Sequence, residues 1–414
     1  MTAGRPLAAA LQVYAPSAVY SVGVGAITPA MAPAATAFGA SVAVAAASVT
    51  LVGVGSLVAN APAAHLAARA GERRTIIASA WTGALGALLA WAAVAGWLSV
   101  PPAAGLAVFF LGLFVVGMAG AGFNLARQSY LAVAVPASHR ARAMSTLGGT
   151  IRLGLFAGPF LGAGLQSLSG LPGAFAAGTL AMALAAGGSL AIRELPVPGP
   201  AAGTPPGPAP DATPALPTLR SLAREHRRVL ATVGVAVVCL SAARATRSAV
   251  IPLWATQLGL SPAAASAVYG LTGLADLLMS YPSGLLMDRR GRRVVAVSCL
   301  AGLGLGLALV PLSGELGWFT AAALAVGLGN GFGSGIVMTL GADYSPPRAR
   351  PQFLALWRLQ SDAGILAGPA LLSAVTALAG LATAIWVVAG VAGLGAVVFA
   401  RALPGGPGSA ARSG

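Results

Sequence analysis

The chain has 414 residues, of which 57% are hydrophobic and 8% are charged, and its mean hydropathy is +0.84. A water-soluble domain devotes about a quarter of its residues to charge, so this composition excludes an ordinary soluble enzyme. All 24 basic residues are arginine, against nine acids, three histidines and two cysteines, which leaves little material for metal clusters or catalytic dyads. The net charge of +15 is spread in small groups, whereas a nucleic-acid reader needs a continuous basic face.

Twelve apolar stretches along the chain are long enough to span a bilayer. A helix needs about 20 apolar residues to cross roughly 30 Å of hydrocarbon. The first stretch is too long, and is followed by too many others, to be a cleaved signal peptide. The sequence therefore predicts an all-α integral membrane protein with twelve transmembrane helices, over residues 14–34, 41–64, 75–98, 103–126, 144–166, 173–192, 229–254, 262–285, 294–313, 318–341, 353–376 and 380–400.

The positions of the arginines predict the orientation of these spans. Cytoplasmic loops retain arginine, because translocation of a guanidinium group is unfavourable. With the N-terminus inside, the arginines of 69–74, 220–228 and 289–293 all fall on the cytoplasmic side, and the outer loops contain none. We therefore expect a multi-pass protein of the plasma membrane with both termini in the cytoplasm. Cys239 and Cys299 lie inside spans and are interpreted as small packing residues.

A proline-rich segment divides the chain into two sets of six spans. Residues 195–217 contain nine prolines and little apolar periodicity, as in an extended linker. Apolar residues and arginines then alternate, which is typical of a short basic amphipathic helix at the membrane surface or of a simple topology anchor. The predicted domains are a six-helix bundle at 1–192, a cytoplasmic linker with this helix at 193–228, a second bundle at 229–402 and a tail at 403–414.

The two halves also repeat each other in sequence, which predicts pseudo-symmetric bundles. Matching positions are Gly154 and Gly364, Gly158 and Gly368, Pro159 and Pro369, Pro136 and Pro346, and Arg140 and Arg350, each 210 residues apart, and Arg69 and Arg289, Gly71 and Gly291, and Arg73 and Arg293, each 220 apart. Two parallel six-span halves are the organisation that an alternating-access transporter needs, with its site between the halves.

The loop after the eighth span contains a complete G-x-x-x-D-R-x-G-R-R signature, formed by Gly284, Asp288, Arg289, Gly291, Arg292 and Arg293. With this motif the chain resembles the major facilitator superfamily over essentially its whole length. We expect Gly284 to permit close helix approach and Gly291 to make the turn. The resemblance implies that Asp288 lies near the N-terminus of the fifth helix, and that Arg292 pairs with Asp343, as parts of a gate.

The first-half copy of this loop is degraded. Ala68 stands where the second half has its aspartate, and Val133 stands where the second half has Asp343. We therefore expect a charged latch in the second half only, and asymmetric gating. Drift in a loop that serves only to orient the chain is the alternative.

A second motif lies in the fifth span and consists of Gly154, Gly158, Pro159 and Gly162. It resembles the glycine-proline motif of the family's drug and proton antiporters. Small residues at every fourth position let helix backbones touch, and proline bends a helix; ordinary packing is the alternative. The arginine that this group carries within the fourth span is absent from Gly112 to Asn124, and Arg127, at the inner end, is expected to reach the interface.

Six charged residues lie deep within the predicted spans, namely Arg152, Arg244, Arg247, Asp276, Arg358 and Asp362. Such a charge costs about 2.5 to 3.5 kcal/mol at the bilayer centre, so it should face a partner or a wet cavity. Arg152 and Asp276 lie at matching depths on helices that are neighbours in the resembling family. We predict that these two residues pair and separate during transport, and that Arg358 and Asp362 pair at i, i+4. The two aspartates are the acids deep enough to carry a proton.

Arg244 and Arg247 have no obvious acid of their own, and three interpretations stay open. They coordinate an anionic group of the cargo, or Arg244 shares Asp276, or they bind carbonyls freed near Pro252. With the aromatic and amide residues of the inward-facing spans, including Trp254 at an outer end, they form a candidate cavity for an amphipathic small molecule. The cavity candidates are Tyr20, Asn124, Arg244, Arg247, Asn330 and Phe332.

These features predict a secondary transporter that exports small amphipathic drug-like or metabolite molecules in exchange for protons. The first alternative is an importer or facilitator of a small organic anion with the same fold. A membrane enzyme is a remote alternative, because the three histidines are scattered and have no nucleophile or metal set near them. The expected partners are the lipid bilayer, a small-molecule substrate and protons. We expect a monomer that is not an enzyme and that binds no nucleic acid, metal or cofactor.

Overall fold

The computed structural model describes residues 4–194, 219–346 and 349–404, and the regular structure in these ranges is helical. The whole proline-rich segment, 195–217, and the last residues of the tail lie outside the described ranges. Two short 3₁₀ helices, Thr28–Ala30 and Val310–Leu312, and a π-helical segment, Leu230–Gly234, lie between the α-helices. The helices are α1 (Gly4–Ile27), α2 (Met31–Ala37), α3 (Val42–Ala70), α4 (Glu72–Val94), α5 (Pro102–Ala134), α6 (Ala137–Ser169), α7 (Pro172–Ser189), α8 (Leu219–Glu225), α9 (Arg227–Val229), α10 (Val235–Gln257), α11 (Pro262–Arg290), α12 (Arg292–Leu309), α13 (Leu316–Phe332), α14 (Ile336–Tyr344) and α15 (Arg350–Ala402).

The predicted spans fall on these helices. Within the described ranges, nine helical segments are long and apolar enough to cross a membrane. One of them, Gln352–Ala402, covers the last two predicted spans, which Gly380 separates by leaving the helical conformation at φ 84°. Helices α6 and α7 fall outside this set, because glycine, serine and, in α6, arginine reduce their hydropathy. The all-α membrane fold expected from the composition is therefore the fold of the protein.

The sequence repeat is visible as a repeat of local structure. Ser41 and Ser261, 220 residues apart, cap α3 and α11, and each hydroxyl accepts a hydrogen bond from the backbone N–H three residues later. Both helices end at a glycine with φ 84°, Gly71 in the first half and Gly291 in the second. An L side chain rarely adopts this conformation, so the two loops need glycine at the turn.

Each half is a bundle of its own helices, and the halves meet mainly along two helix pairs. In the first half α1 packs on α6 and α7, and α4 packs on α5 and α7; in the second half α10 packs on α15, and α12 on α13 and α15. Across the halves α6 packs on α11, and α3 on the first part of α15. We call positions that the 210- or 220-residue repeat relates repeat mates. The first part of α15 is the repeat mate of α6, and α11 is the repeat mate of α3. The internal repeat therefore relates these two interfaces.

The side-chain hydrogen bonds described between the halves lie at one end of the molecule. We call the end at which α3 and α11 finish the arginine-bearing end, since Arg69, Arg289 and Arg290 lie there. Among the described residues, two hydrogen bonds join the halves, from Ser266 to Gln166 at 3.0 Å and from Ser373 to the Ala43 carbonyl at 2.7 Å. Both bonds lie at the opposite end.

The helices present large apolar side chains on their outer surface. Leu168 is 83% exposed and its repeat mate Leu378 is 88% exposed, and two tryptophans, Trp97 and Trp318, are more than half exposed. In water such side chains would form aggregation-prone patches. In a bilayer they contact lipid, as the composition predicts.

Candidate functional site

A cavity of about 260 Å³ lies between the two halves. It is lined by Arg152 from α6 of the first half and by second-half residues from α10, α11, the end of α13 and the segment that joins α13 to α14. The second-half residues are Arg244, Arg247, Asp276, Asn330, Ser334 and Gly335. Four of the charged residues predicted to lie deep in the membrane therefore converge on one space.

Asp276 pairs with Arg247, and not with Arg152 as the sequence predicted. The Arg247 Nη2 atom lies 3.6 Å from the Asp276 Oδ2 atom, and the Asn330 side-chain amide donates a 2.8 Å hydrogen bond to the same oxygen. Arg152 borders the same cavity from the other half, and within the described ranges no carboxylate lies within 4 Å of it. In this structure α10, which belongs to the same bundle as α11, brings the Arg247 guanidinium to Asp276, and a pair between Arg152 and Asp276 at another stage of transport stays a prediction.

Arg244 binds a main-chain carbonyl of a neighbouring helix. Its Nη2 atom donates to the Asn330 carbonyl at 3.3 Å and lies 3.7 Å from the Cys299 sulfur. This contact corrects two of the sequence interpretations, because Arg244 does not share Asp276 and its carbonyl partner is not near Pro252. Its Nε atom and the Nη1 atom of Arg247 are buried without a hydrogen-bond partner in the structure.

The tenth predicted span is broken at the cavity. Helix α13 ends at Phe332, Gly335 has φ 79°, and α14 begins at Ile336 without a capping side chain. Glycines stand at every second position from Gly329 to Gly335, and this run was the signal in the sequence for a break. Discontinuous helices mark binding sites in membrane transporters, because their free backbone groups face the cavity.

A smaller pocket of about 90 Å³ extends from the main cavity along α11. Its wall adds residues that the sequence reasoning missed, namely Leu155, Tyr269, Thr272, Gly273 and Leu277. Tyr269 and Asp276 are seven residues apart, which is two helical turns, so their shared face could have been read from the spacing. The site thus joins a charged chamber to a more apolar recess.

Three of the cavity candidates do not line these two spaces. Tyr20 is 4% exposed and stacks on Phe123, with ring centroids 4.3 Å apart. The carbonyl of Phe332 accepts a hydrogen bond from Ser283, and the Asn124 side chain accepts one from Arg127. In addition, the Trp254 indole N–H donates a 3.1 Å hydrogen bond to the Ser313 hydroxyl inside the second half.

Arg127 does not reach the membrane interface as the sequence predicted. It is 3% exposed, and its guanidinium lies 5.2 Å from the centre of the Phe123 ring. The ring and the Asn124 amide hold the cation inside the first half. Neither partner can be inferred from the hydropathy of the span.

The signature loop contains the predicted ion pair. The Arg292 Nε atom lies 3.0 Å from the Asp343 Oδ2 atom, which joins α12 to α14 within the second half. Asp288, Arg289 and Arg293 are exposed at the arginine-bearing end. The expected position of Asp288 at the start of the fifth helix stays a prediction, since several side chains of that first turn lie outside the description.

One expectation for this loop is wrong. Nothing lies within 4 Å of the place that a side chain of Gly284 would occupy, so this glycine does not permit a close helix contact here. The first-half loop has a polar contact that the sequence reasoning missed, since Ser129 of α5 donates a 3.0 Å hydrogen bond to Glu72. Glu72 is the repeat mate of Arg292. In each half, a side chain that follows the loop glycine therefore contacts a neighbouring helix, Glu72 through Ser129 and Arg292 through Asp343.

The glycines of the fifth-span motif touch the backbone of α1. A Cβ atom on Gly154 would lie 2.4 Å from the Ala18 carbonyl oxygen, and one on Gly158 would lie 2.4 Å from that of Val22. A Cβ atom on Gly162 would meet Ala26 at 2.9 Å. The repeat mates Gly364 and Gly368 approach α10 in the same way, as small-residue packing requires.

The remaining predicted pair lies outside the two spaces described above. The Arg358 Nε atom lies 3.8 Å from the Asp362 Oδ2 atom, at the expected i, i+4 spacing, and the arginine side chain is 69% exposed. Asp362 is the repeat mate of Arg152, so one internal position holds a cation in the first half and an acid in the second.

Comparison with solved structures finds the same architecture in membrane transporters. A POT family transporter in complex with 5-aminolevulinic acid matches with a TM-score of 0.72 and 12% identity over 94% of each chain. A D-xylose-proton symporter matches with a TM-score of 0.69 and 16% identity, over 96% of this chain and 98% of its own. A bacterial homolog of the human lysosomal transporter Spinster, in an inward-facing and unoccupied conformation, matches with a TM-score of 0.72 and 12% identity, over 96% and 97%.

These identities are low, so the likeness to solved structures shows the fold. A search of curated proteins finds no match. The family model described as Major Facilitator Superfamily matches residues 17–243 and 233–413, which together cover nearly the whole sequence. The protein is therefore a multi-pass secondary transporter and not an enzyme, and the chain belongs to the Major Facilitator Superfamily.

Proposed function

We propose that this protein carries small organic anions across the plasma membrane by alternating access, with the cavity between its halves as the binding site. The observation that supports this substrate class is the charge of the cavity wall. Among the described residues, three arginines line the cavity with a single carboxylate, that of Asp276. The anion alternative expected from the sequence is therefore the better supported of the two transport functions.

The charge balance of the cavity favours an anionic ligand. Asp276 compensates Arg247, which leaves Arg152 and Arg244 without a carboxylate inside a membrane protein, where an unpaired charge is costly. Arg244 and Arg247 both line the cavity, and a guanidinium group is a strong donor to a carboxylate, sulfonate or phosphate group. No side chain caps the N-terminus of α14, which begins beside the cavity-lining Gly335 and adds the positive end of a helix dipole on the same side.

The packing of the halves supports transport by alternating access. The described hydrogen bonds between the halves lie at the end opposite the arginines, so the two bundles are held together there. Arg152 belongs to one half and Arg244 and Arg247 to the other, so an anion between them contacts both halves. An arrangement that closes the arginine-bearing end and opens the opposite end would carry this anion across.

The second candidate is proton-coupled export of small amphipathic, drug-like molecules. The pocket beside Asp276 favours it, because Leu155, Tyr269 and Leu277 give an apolar wall next to a carboxylate. A cationic amphipath would bind this carboxylate in competition with a proton, which is the requirement for exchange. For either function, we propose that the arginine-bearing end and both termini lie in the cytoplasm. We also propose the domain limits that the sequence predicts.

Counterflow into proteoliposomes tests the substrate class. Vesicles are preloaded with unlabelled benzenesulfonate, lactate, succinate or phenyl phosphate, or with the cation tetraphenylphosphonium, and uptake of the labelled compound is measured. We expect exchange of at least one anion and none of the cation. Arg244→Gln and Arg247→Gln should each reduce anion exchange about tenfold or more, since hydrogen bonds to charged groups contribute about 1.5 to 3 kcal/mol.

The matched control is Arg401→Gln, at the exposed end of α15, which should exchange the anion at the parent rate. Exchange of the cation alone would support the second candidate and contradict the first. Exchange of none of these compounds by folded protein would contradict both.

A further inference from the structure

The two interfaces between the halves differ at one pair of glycines. Gly273 of α11 and Gly53 of α3 are repeat mates, 220 residues apart. A Cβ atom on Gly53 would lie 2.8 Å from the Leu366 Cδ2 atom of α15, whereas the nearest described atom to a Cβ atom on Gly273 is the Phe156 Cα atom of α6, at 3.7 Å. Phe156 and Leu366 are repeat mates as well. A side chain therefore fills the interface of α3 and α15 at the point where the interface of α6 and α11 contains the smaller pocket, which we call the recess.

On the basis of the proposed function, we infer that the recess binds the non-ionised tail of the transported anion, and that Gly273 and Leu155 limit this tail to about three or four carbon atoms. The ionised group of the substrate then lies at the arginines of the main cavity. The substrate class is a small organic anion with a short aliphatic tail.

The recess and the main cavity share the residues that would hold the ionised group. Arg152, Arg247 and Asp276 border both spaces. Gly273 precedes Asp276 by three residues, or about 4.5 Å along the helix axis, so a tail that begins at the arginines reaches it within a few bonds. The Thr272 hydroxyl already donates a 2.6 Å hydrogen bond to the Tyr269 carbonyl, so it needs no partner on the ligand.

The recess is small, and it is bounded towards the end opposite the arginines. There α6 and α11 come into close contact, since Ser266 donates to Gln166 at 3.0 Å and a Cβ atom on Gly270 would lie 2.9 Å from the Phe160 ring. The recess has a volume of about 90 Å³. A cavity of about 150 Å³ is known to bind benzene, so at the same volume per carbon atom the recess holds about three or four carbon atoms.

Neither the backbone nor helix packing requires a glycine at position 273. Gly273 lies inside α11 without a positive φ, and a distance of 3.7 Å is an ordinary contact for a Cβ atom. Glycine is less favourable than alanine within a helix. What this glycine contributes is therefore open space, since it forms part of the wall of the recess. Alanine would fit at this position and would occupy part of that space.

Inhibition of counterflow by n-alkanesulfonates tests the limit on the tail. These compounds stay ionised, and the series from methanesulfonate to hexanesulfonate varies the tail alone. Each is titrated outside the proteoliposomes against counterflow of the panel anion that exchanges fastest. We expect potency to rise about fourfold for each carbon atom, as another CH₂ group is buried, up to propane- or butanesulfonate and not beyond. Benzenesulfonate should inhibit less well than the best member of the series.

Two variants should move the preferred tail length in opposite directions. Gly273→Ala should shift the maximum to a tail one carbon atom shorter, and should lower the potency of the parent's best inhibitor at least about fourfold relative to methanesulfonate. Leu155→Ala should shift the maximum to a longer tail. The Leu155 side chain is 42% exposed, so its truncation removes little buried packing. The matched control is Gly53→Ala, which adds the same methyl group to the other interface between the halves and should keep the parental maximum.

Size-exclusion chromatography reports whether each variant is folded, and Leu155→Ala decides alone if Gly273→Ala is not. Potency that rises steadily to hexanesulfonate, potency that does not depend on tail length, a parental maximum in either folded recess variant, or the same shift in Gly53→Ala would overturn this inference and leave anion transport standing. If no panel anion exchanges, the proposed function fails and the inference fails with it.

Discussion

The ion pair between Arg247 and Asp276 determines how charge is balanced at the centre of the protein. The arginine side chain is 17% exposed and the aspartate side chain 29%, so both face the cavity. Removal of one member of such a pair leaves a charge without compensation, whereas removal of both leaves none. Stability measurements can therefore separate a true pair from two residues that are merely neighbours.

We expect Arg247→Leu to reduce the free energy of unfolding by about 2 kcal/mol, and the double variant Arg247→Leu/Asp276→Leu to recover more than half of that loss. Thermal unfolding of the detergent-solubilised protein measures both. Arg358→Leu removes one member of an exposed i, i+4 pair and should change stability by no more than about 0.5 kcal/mol. A double variant that is no more stable than the single one would contradict the pairing.

The depth of the charged residues could be predicted from the sequence, but their partners could not. A charge inside an apolar span is visible at once in the sequence. Arg244 and Arg247 are three residues apart, so their side chains point in directions that differ by about 60°, and each reaches a different neighbour. Which neighbour that is depends on the rotation of α10 in its bundle, and hydropathy does not encode this rotation.

Among the helices, the close contact of α1 with α6 is the clearest case of sequence dictating packing. Gly154, Gly158 and Gly162 follow one face of α6, and all three lie against the backbone of α1. The repeat mates of the first two do the same on α15 and α10. The spacing of these glycines is the sequence signal for the contact.

We expect Gly158→Ala to destabilise the protein by about 1 to 3 kcal/mol, because the new methyl group would lie 2.4 Å from the Val22 carbonyl oxygen and force the helices apart. Gly148→Ala, on the same helix with nothing within 4 Å, is the control and should raise stability by about 0.5 to 1 kcal/mol. Both effects are read from thermal unfolding. Equal stability of the two variants would show that α1 and α6 are not in close contact.

The interruptions of the helices were harder to predict than the helices. Each apolar stretch is long enough to specify a span, and each predicted span is helical over most of its length. The break between α13 and α14 was missed, because glycine is common in membrane helices and most of these glycines do not interrupt them. Here Arg244 binds the carbonyl of Asn330 next to the break, and this contact depends on the tertiary structure.

At the scale of the whole molecule, two interfaces related by the repeat join the halves around the cavity. Sequence repetition was sufficient to predict two similar bundles with a site between them. It could not predict which end is closed, because one sequence encodes every state of an alternating-access cycle and the states differ by small free energies. In this structure the hydrogen bond from Ser266 to Gln166 joins the halves at the end opposite the arginines.

The most direct test of alternating access is a reversible crosslink between the halves. Cysteines at Gln166 and Ser266, in protein whose native Cys239 and Cys299 are replaced by alanine, are joined with a short bis-methanethiosulfonate reagent, and anion counterflow is measured. The control joins Ser241 to Ser361, whose hydroxyl oxygens lie 2.9 Å apart within the second half. We expect the first crosslink to stop counterflow until a reductant releases it, and the control crosslink to leave counterflow unchanged. Undiminished counterflow with the halves joined would contradict the account.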